Sequence, residues 1–140
     1  MKAISIRSPW WWFILHAGKD IENRDWSSRF RGPVLVHASK WHQAEEIADD
    51  AEFAAKIARK AGVELPRLTL GMLKETRGCI VGRVDIIDCV SSSSSPWFFG
   101  EYGFVLANPV AFARPVPFKG ALSFFDVPDE IANQAAQAAA

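Results

Sequence analysis

Gly18-Lys19-Asp20-Ile21-Glu22-Asn23-Arg24 is a charged run set between the aromatic segment Trp10 to Phe13 and a basic, aromatic stretch from Trp26 to Arg31. A glycine at position 18 lets a preceding helix end through the left-handed conformation, which only glycine adopts without steric cost. The residues after it alternate as a strand does, so Glu22 and Arg24 share one face while Ile21 and Asn23 take the other. An ammonium, a carboxylate and a guanidinium are thereby expected to converge within one turn and one short strand.

The pattern on either side completes a small mixed fold. Ala3 to Arg7 alternates apolar with polar residues and reads as a strand, ending at Ser8-Pro9, where Ser8 is placed to cap a short helix from Trp10 to His16. Asp20 to Trp26 is a second strand, and the β-branched run Val34 to Ala38 a central one. Gln43 to Ala61 is the one long helix, with a thin apolar stripe of Ile47, Ala51, Ala54, Ala55 and Ile57 and Gly62 as its stop, so it is expected on the outside. Leu65 to Leu73 suits another short helix. Gly78 to Val90 is long enough for a strand to need a bulge or strong coiling. Ser91 to Ser95 has nothing to pack and reads as a flexible, flap-like loop. Tyr102 to Ala107 and Phe118 to Val127 are read as two more strands, joined by a connection through Pro109, Pro115 and Pro117.

Strands and helices that do not alternate regularly argue against a parallel doubly wound sheet. They favour an α+β fold: a mixed β-barrel of five to six strands, with short helices on the rim and one longer helix at about 43–61. One domain is expected over residues 1–128, followed by an alanine-rich tail, 129–140, that little anchors.

Three blocks carry a resemblance to a known family. Lys19-x-x-Glu22-x-Arg24 resembles the signature of the ASCH domain family, small β-barrels related to the PUA domains that bind RNA. Arg31-Gly32-Pro33-Val34-Leu35-Val36-His37-Ala38-Ser39-Lys40 agrees with it, as does Ser95-Pro96-Trp97-Phe98-Phe99-Gly100-Glu101-Tyr102-Gly103-Phe104-Val105-Leu106, with Pro117 to Pro128 behind. The similarity spans about Met1 to Pro128 and fits the small single-domain bacterial or phage type. The family usually writes Gly-x-Lys, whereas here Ala17 stands at that glycine's place and Gly18 directly precedes Lys19, which shifts the expected turn by one residue.

The resemblance implies a PUA-like barrel that binds single-stranded RNA, a nucleotide or a nucleoside in a cleft beside the barrel, with Lys19, Glu22 and Arg24 as its polar site. It also implies enzymatic alternatives in the same cleft, because some members hydrolyse N4-acylated cytidine nucleosides and others cleave single-stranded RNA. Lys19 and Glu22 are then the catalytic pair. In the amidohydrolase members the motif lysine works with a threonine, where this sequence has Glu22.

Charge and aromatic content extend the candidate site. The chain has 16 Lys and Arg against 16 Asp and Glu, so net charge is zero and a strongly basic duplex binder is excluded. From Met1 to His42 there are seven basic residues against three acidic, and from Gln43 to Glu64 three against six. A modest electropositive patch around the motif, backed by an acidic helix, is expected to suit a small anion or a few nucleotides. Arg29 and Lys40 would extend its rim. Of the six tryptophans, Trp10, Trp11 and Trp12 cannot all face one core, and Trp10, Trp26, Trp41, Trp97 and Tyr102 are candidates for stacking a base. Trp10 and Trp26 lead because they flank the charged run. At the exit of the central strand His37 and Ser39 share a side opposite Lys40, and His37 reads equally as a core histidine or as a binding group.

Other chemistries find no support. There is no Gly-x-Ser-x-Gly elbow and no phosphate-cradling glycine loop, so no cofactor is expected. His16, His37 and His42 lack metal-ligand spacing, and Cys79 and Cys89 are too few for a zinc ribbon, so they read as reduced thiols and no metal is expected. No apolar run approaches the ~20 residues that span a bilayer, and Met1 to Arg7 reads as a strand rather than a leader. A soluble cytoplasmic protein without a membrane partner is expected. A protein partner docking on an apolar rim at Trp97-Phe98-Phe99 is the non-enzymatic alternative.

Overall fold

The computed structural model of the chain describes residues 1–40 and 43–137. In chain order its elements are β1 (Lys2–Ile6), α1 (Trp10–His16), β2 (Ile21–Arg24), β3 (Gly32–Ala38), α2 (Ala44–Lys60), α3 (Leu70–Thr76), β4 (Cys79–Val90), β5 (Tyr102–Pro117), β6 (Phe124–Asp126) and α4 (Asp129–Gln137). The strands form one curled sheet in the order β2-β5-β4-β3-β1-β6, antiparallel except for the β1–β3 pair. This is an α+β half-barrel, consistent with a PUA-like barrel.

Curling brings the two ends of the sheet together. Phe104 on β5 stacks on Phe124 of β6 with ring centroids 6.0 Å apart, and Trp26 packs edge-on against both at 5.2 and 5.6 Å. The interior is filled by α1, whose Trp11, Trp12, Phe13, Ile14 and Leu15 are all buried, as an apolar seven-residue helix demands. Trp10 alone of the tryptophan triplet stays half-exposed. The helix begins at Trp10 without a side-chain cap, and Ser8 instead accepts a hydrogen bond from the Trp11 indole, 2.9 Å away. It ends where Gly18 takes φ +75°, and the Lys19 N–H returns to the Phe13 carbonyl at 3.1 Å.

α2 packs against α1, contributing Ile47 and Ala54 of the expected stripe to the core together with Ala58, which the stripe did not include. The outer face of the sheet has its own apolar layer of Ala3, Leu35, Ile80, Phe112, Val116, Phe125 and Val127, into which α4 inserts Ala132 and Ala135. The alanine-rich segment after Pro128 thus has an anchor through Gln137: alanine's small side chain lets the helix approach the sheet closely.

Two expected elements differ. Instead of two strands with a proline-rich link, Tyr102–Pro117 is one strand of 16 residues, and β6 keeps only three. β2 pairs with Tyr102 to Val105, and beyond that β5 has β4 as its one ladder partner. Pro109 and Pro115 fall where the β4–β5 register shifts, so their missing N–H groups break no paired ladder bond. The serine run is likewise not loose at its end, because Ser95 Oγ donates to Asp20 Oδ1 at 2.6 Å and accepts from the Trp97 N–H at 3.2 Å.

The approach of α1 to the sheet depends on Gly82. A Cβ there would sit 2.5 Å from the Val110 carbonyl oxygen and 2.6 Å from Leu15 Cδ1. Gly82→Ala is expected to destabilise the chain by about 1–3 kcal/mol through overpacking, seen as a lower urea midpoint at unchanged m-value. An unchanged midpoint would show that α1 does not press on β4 here.

Candidate functional site

Lys19, Glu22 and Arg24 meet at the floor of a cleft of about 700 Å³, placed there by the glycine exit of α1 and the alternation of β2. Lys19 keeps 2% of its side chain exposed and Glu22 10%, so both charges are nearly dry. The Lys19 Nζ donates to the Ile21 carbonyl and lies 3.7 Å from Glu22 Oε1. Glu22 Oε2 accepts from Arg24 Nε at 3.0 Å and forms an ion pair with Nη2 at 2.9 Å, while Nη2 donates to the Ser5 carbonyl at 2.7 Å. Burial holds the Lys19 ammonium below the ordinary lysine range. The Glu22 carboxylate, by charge and hydrogen bond, and Asp20 pull it back up, and Arg24 adds to the lowering.

Each cation of the floor also rests on a tryptophan. Lys19 Nζ lies 5.7 Å from the Trp10 ring centre and Arg24 Cζ 6.0 Å from that of Trp26, within cation–π reach. The walls continue with Ser5, Ile6, Arg7, Asn23, Asp25, Asp50, Phe53, Trp97 and Phe99. Asn23 ties floor to wall, since its Nδ2 donates to the Trp97 carbonyl and its Oδ1 accepts from the Phe99 N–H, at 2.9 and 2.8 Å. Phe99 meets Phe53 of α2 at 5.9 Å, and Phe53 meets Trp10 at 6.5 Å. The lining holds Arg7, Lys19 and Arg24 against Glu22, Asp25 and Asp50, so the clustered positive charge of the linear sequence is balanced once α2 packs against it.

The remaining residues singled out in the sequence lie elsewhere. Trp10, Lys19, Glu22, Arg24, Trp26 and Trp97 share the cleft, but Trp97 is 3% exposed and belongs mostly to the core, which takes it out of the expected apolar rim. His37 is buried outside the cleft lining. Its Nε2 lies 2.6 Å from the Phe118 carbonyl, which fixes the proton on that nitrogen, and Nδ1 accepts from the Ser5 hydroxyl at 2.9 Å. Ser39 and Lys40 line a separate recess of about 20 Å³ with Arg7, Ser8, Gln43, Glu46 and Ile47. Tyr102 pairs with Arg24 across β2 and β5 but does not line the cleft, and Arg29 is exposed beyond it. Trp41 and His42 lie outside the described residues.

Asp50 and Phe53 were not legible as site residues, and Phe99 was read only as part of an apolar rim for a protein partner. Asp50 and Phe53 stand three apart on α2 and so share a side, a spacing that signals a common face without saying what it looks at. Among the described residues no group of three His, Cys, Asp or Glu side chains is placed to hold a metal, and no helix is long and apolar enough to cross a membrane. Cys79 and Cys89 are free thiols.

A curled mixed sheet with a polar, aromatic cleft at its open seam is an α+β fold consistent with a PUA-like barrel. The ASCH domain family matches residues 4–117, and the chain belongs to that family. It is similar to Activating signal cointegrator 1 of Homo sapiens, with 24% identity over 125 residues covering 84% of this chain and 20% of that protein, and to the same protein of Mus musculus at the same identity and coverage. The chain thus spans about a fifth of the length of these relatives.

His37 gives the fold a pH dependence. Burial depresses its pKa from the ordinary 6.5, against smaller upward pulls from the Phe118 and Gly78 backbone. The folded chain therefore keeps the ring neutral where the unfolded chain takes up a proton, and stability present above about pH 6.5 is lost as pH falls below it. The drop in unfolding temperature between neutral pH and about pH 5 is expected to shrink in His37→Gln. An equal drop in both proteins would remove His37 as its source.

Proposed function

We propose that this ASCH domain binds single-stranded RNA, or a nucleotide or nucleoside, by admitting one base to the cleft. The observation that carries this reading is the nearly dry Lys19–Glu22–Arg24 set at the base of a cleft flanked by Trp10 and Trp26. Membership of a family of general RNA-binding type supports it. Its volume lies in the ordinary range for small-ligand sites, roughly 300–1,000 Å³. Arg24 Nη1 and the third Lys19 N–H are the donors left for a base carbonyl or phosphate oxygen, and Glu22 Oε1 remains able to accept from an amino or ribose hydroxyl group. Trp10 and Trp26 supply stacking. His37 supports the site from behind, through Ser5, whose carbonyl Arg24 holds. Fluorescence anisotropy with short single-stranded RNAs is expected to show binding that weakens with salt and with Lys19→Ala, and Trp10→Ala should cost about 1–3 kcal/mol of stacking. Absence of binding to any such oligomer at low salt would overturn this reading.

A hydrolase reading of the same cleft rests on one observation: a lysine held below its usual range, 3.7 Å from a carboxylate. Lys19 would take a proton from water attacking the acyl carbon of an N4-acylated cytidine, and the bond to N4 would break as Glu22 relays a proton to the leaving amine. Incubation with N4-acetylcytidine should then release cytidine and acetate. Turnover no greater than that of Lys19→Ala would count against catalysis while leaving base binding intact.

A further inference from the structure

The cleft changes character from floor to mouth. At the floor Lys19 and Arg24 already hold a cation over Trp10 and Trp26, and their spare N–H groups seek acceptors. Nearer the mouth the lining sets Arg7 against two carboxylates, Asp25 and Asp50. Arg7 lies 3.8 Å from Glu46, one turn before Asp50 on α2, whereas Asp25 and Asp50 make no ion pair among the described residues. Beside Asp50 stand Phe53 and Phe99, each 48% exposed, with rings 5.9 Å apart. Exposed aromatic faces next to unpaired carboxylates attract a flat cation and repel a phosphate.

We propose, building on the base-binding reading, that the Asp50–Phe53–Phe99 mouth selects a positively charged, N-methylated nucleobase over its neutral parent, while the floor takes that base's carbonyl oxygen. The Phe53 and Phe99 rings meet each other at 5.9 Å, so a planar ring would lie on their exposed faces rather than between them, and methylation of a ring nitrogen supplies a charge that no unmodified base carries at neutral pH. 7-Methylguanosine and 3-methylcytidine, whose bases are attached to ribose, each combine a delocalised cation with an exocyclic carbonyl. The deep donors and the outer acids then act on opposite ends of one ligand.

Titration calorimetry of the full chain at low salt with 7-methylguanosine, 3-methylcytidine, guanosine and cytidine tests this. The methylated nucleosides are expected to bind about 2- to 30-fold tighter than their parents, the range a cation–π contact gives between exposed and desolvated sites. Asp50→Asn and Phe53→Leu should each lower that ratio towards one, with unfolding midpoints checked for both. Equal or weaker binding of the methylated forms overturns the inference and leaves base binding standing. Failure of all four nucleosides to bind removes the base-binding reading itself, and the inference with it. If a trimethyllysine peptide displaces 7-methylguanosine at lower concentration than its own parent nucleoside does, the mouth serves a protein cation and the proposal is wrong.

Discussion

One carboxylate holds the open seam of this sheet. β6 covers only Lys2 to Ile4 of β1, and β2 covers only the start of β5, so the ends of the sheet meet without a ladder between them. Glu22 fixes the Arg24 guanidinium, which reaches across to the Ser5 carbonyl, and the same carboxylate balances Lys19. Buried charges of this kind are stable only as a complete set, because removal of one partner strands another in a dry site at a cost of about 3–5 kcal/mol. The gap that a closed barrel would have filled with backbone hydrogen bonds is therefore a cleft with a rigid polar floor.

Much of this was legible from residue types alone. The glycine exit at Gly18, the Glu22–Arg24 face and the long coiled β4 follow from conformational freedom, two-residue alternation and strand length, which are local properties. β5 was not, because Pro109 and Pro115 ordinarily end a strand, and only the sheet order shows that they fall at breaks in register. The anchoring of α4 was not legible for a related reason: a run of alanines at the tail suits a helix but carries little apolar signal, yet small side chains suit close helix-to-sheet packing.

The candidate site was half visible on the same principle. Lys19, Glu22, Arg24, Trp10 and Trp26 are near one another in sequence, and local geometry brings them to the cleft. Asp50, Phe53 and Phe99 come from a helix and a loop distant in the chain, so nothing local places them beside Lys19 and Glu22. Their arrival changes the electrostatics: a stretch that counts as basic along the chain becomes a charge-balanced cleft once an acidic helix packs beside it. His37, which the sequence left equally open as a core histidine or a binding group, has two internal partners.

The far half of β5 has a separate consequence. A strand with a bare side offers a template on which another polypeptide can zip, the usual first step towards insoluble fibrils. Prolines at 109 and 115, with the register shifts around them, interrupt that template with kinks and missing donors. The protein can thus carry this long strand edge without recruiting copies of itself.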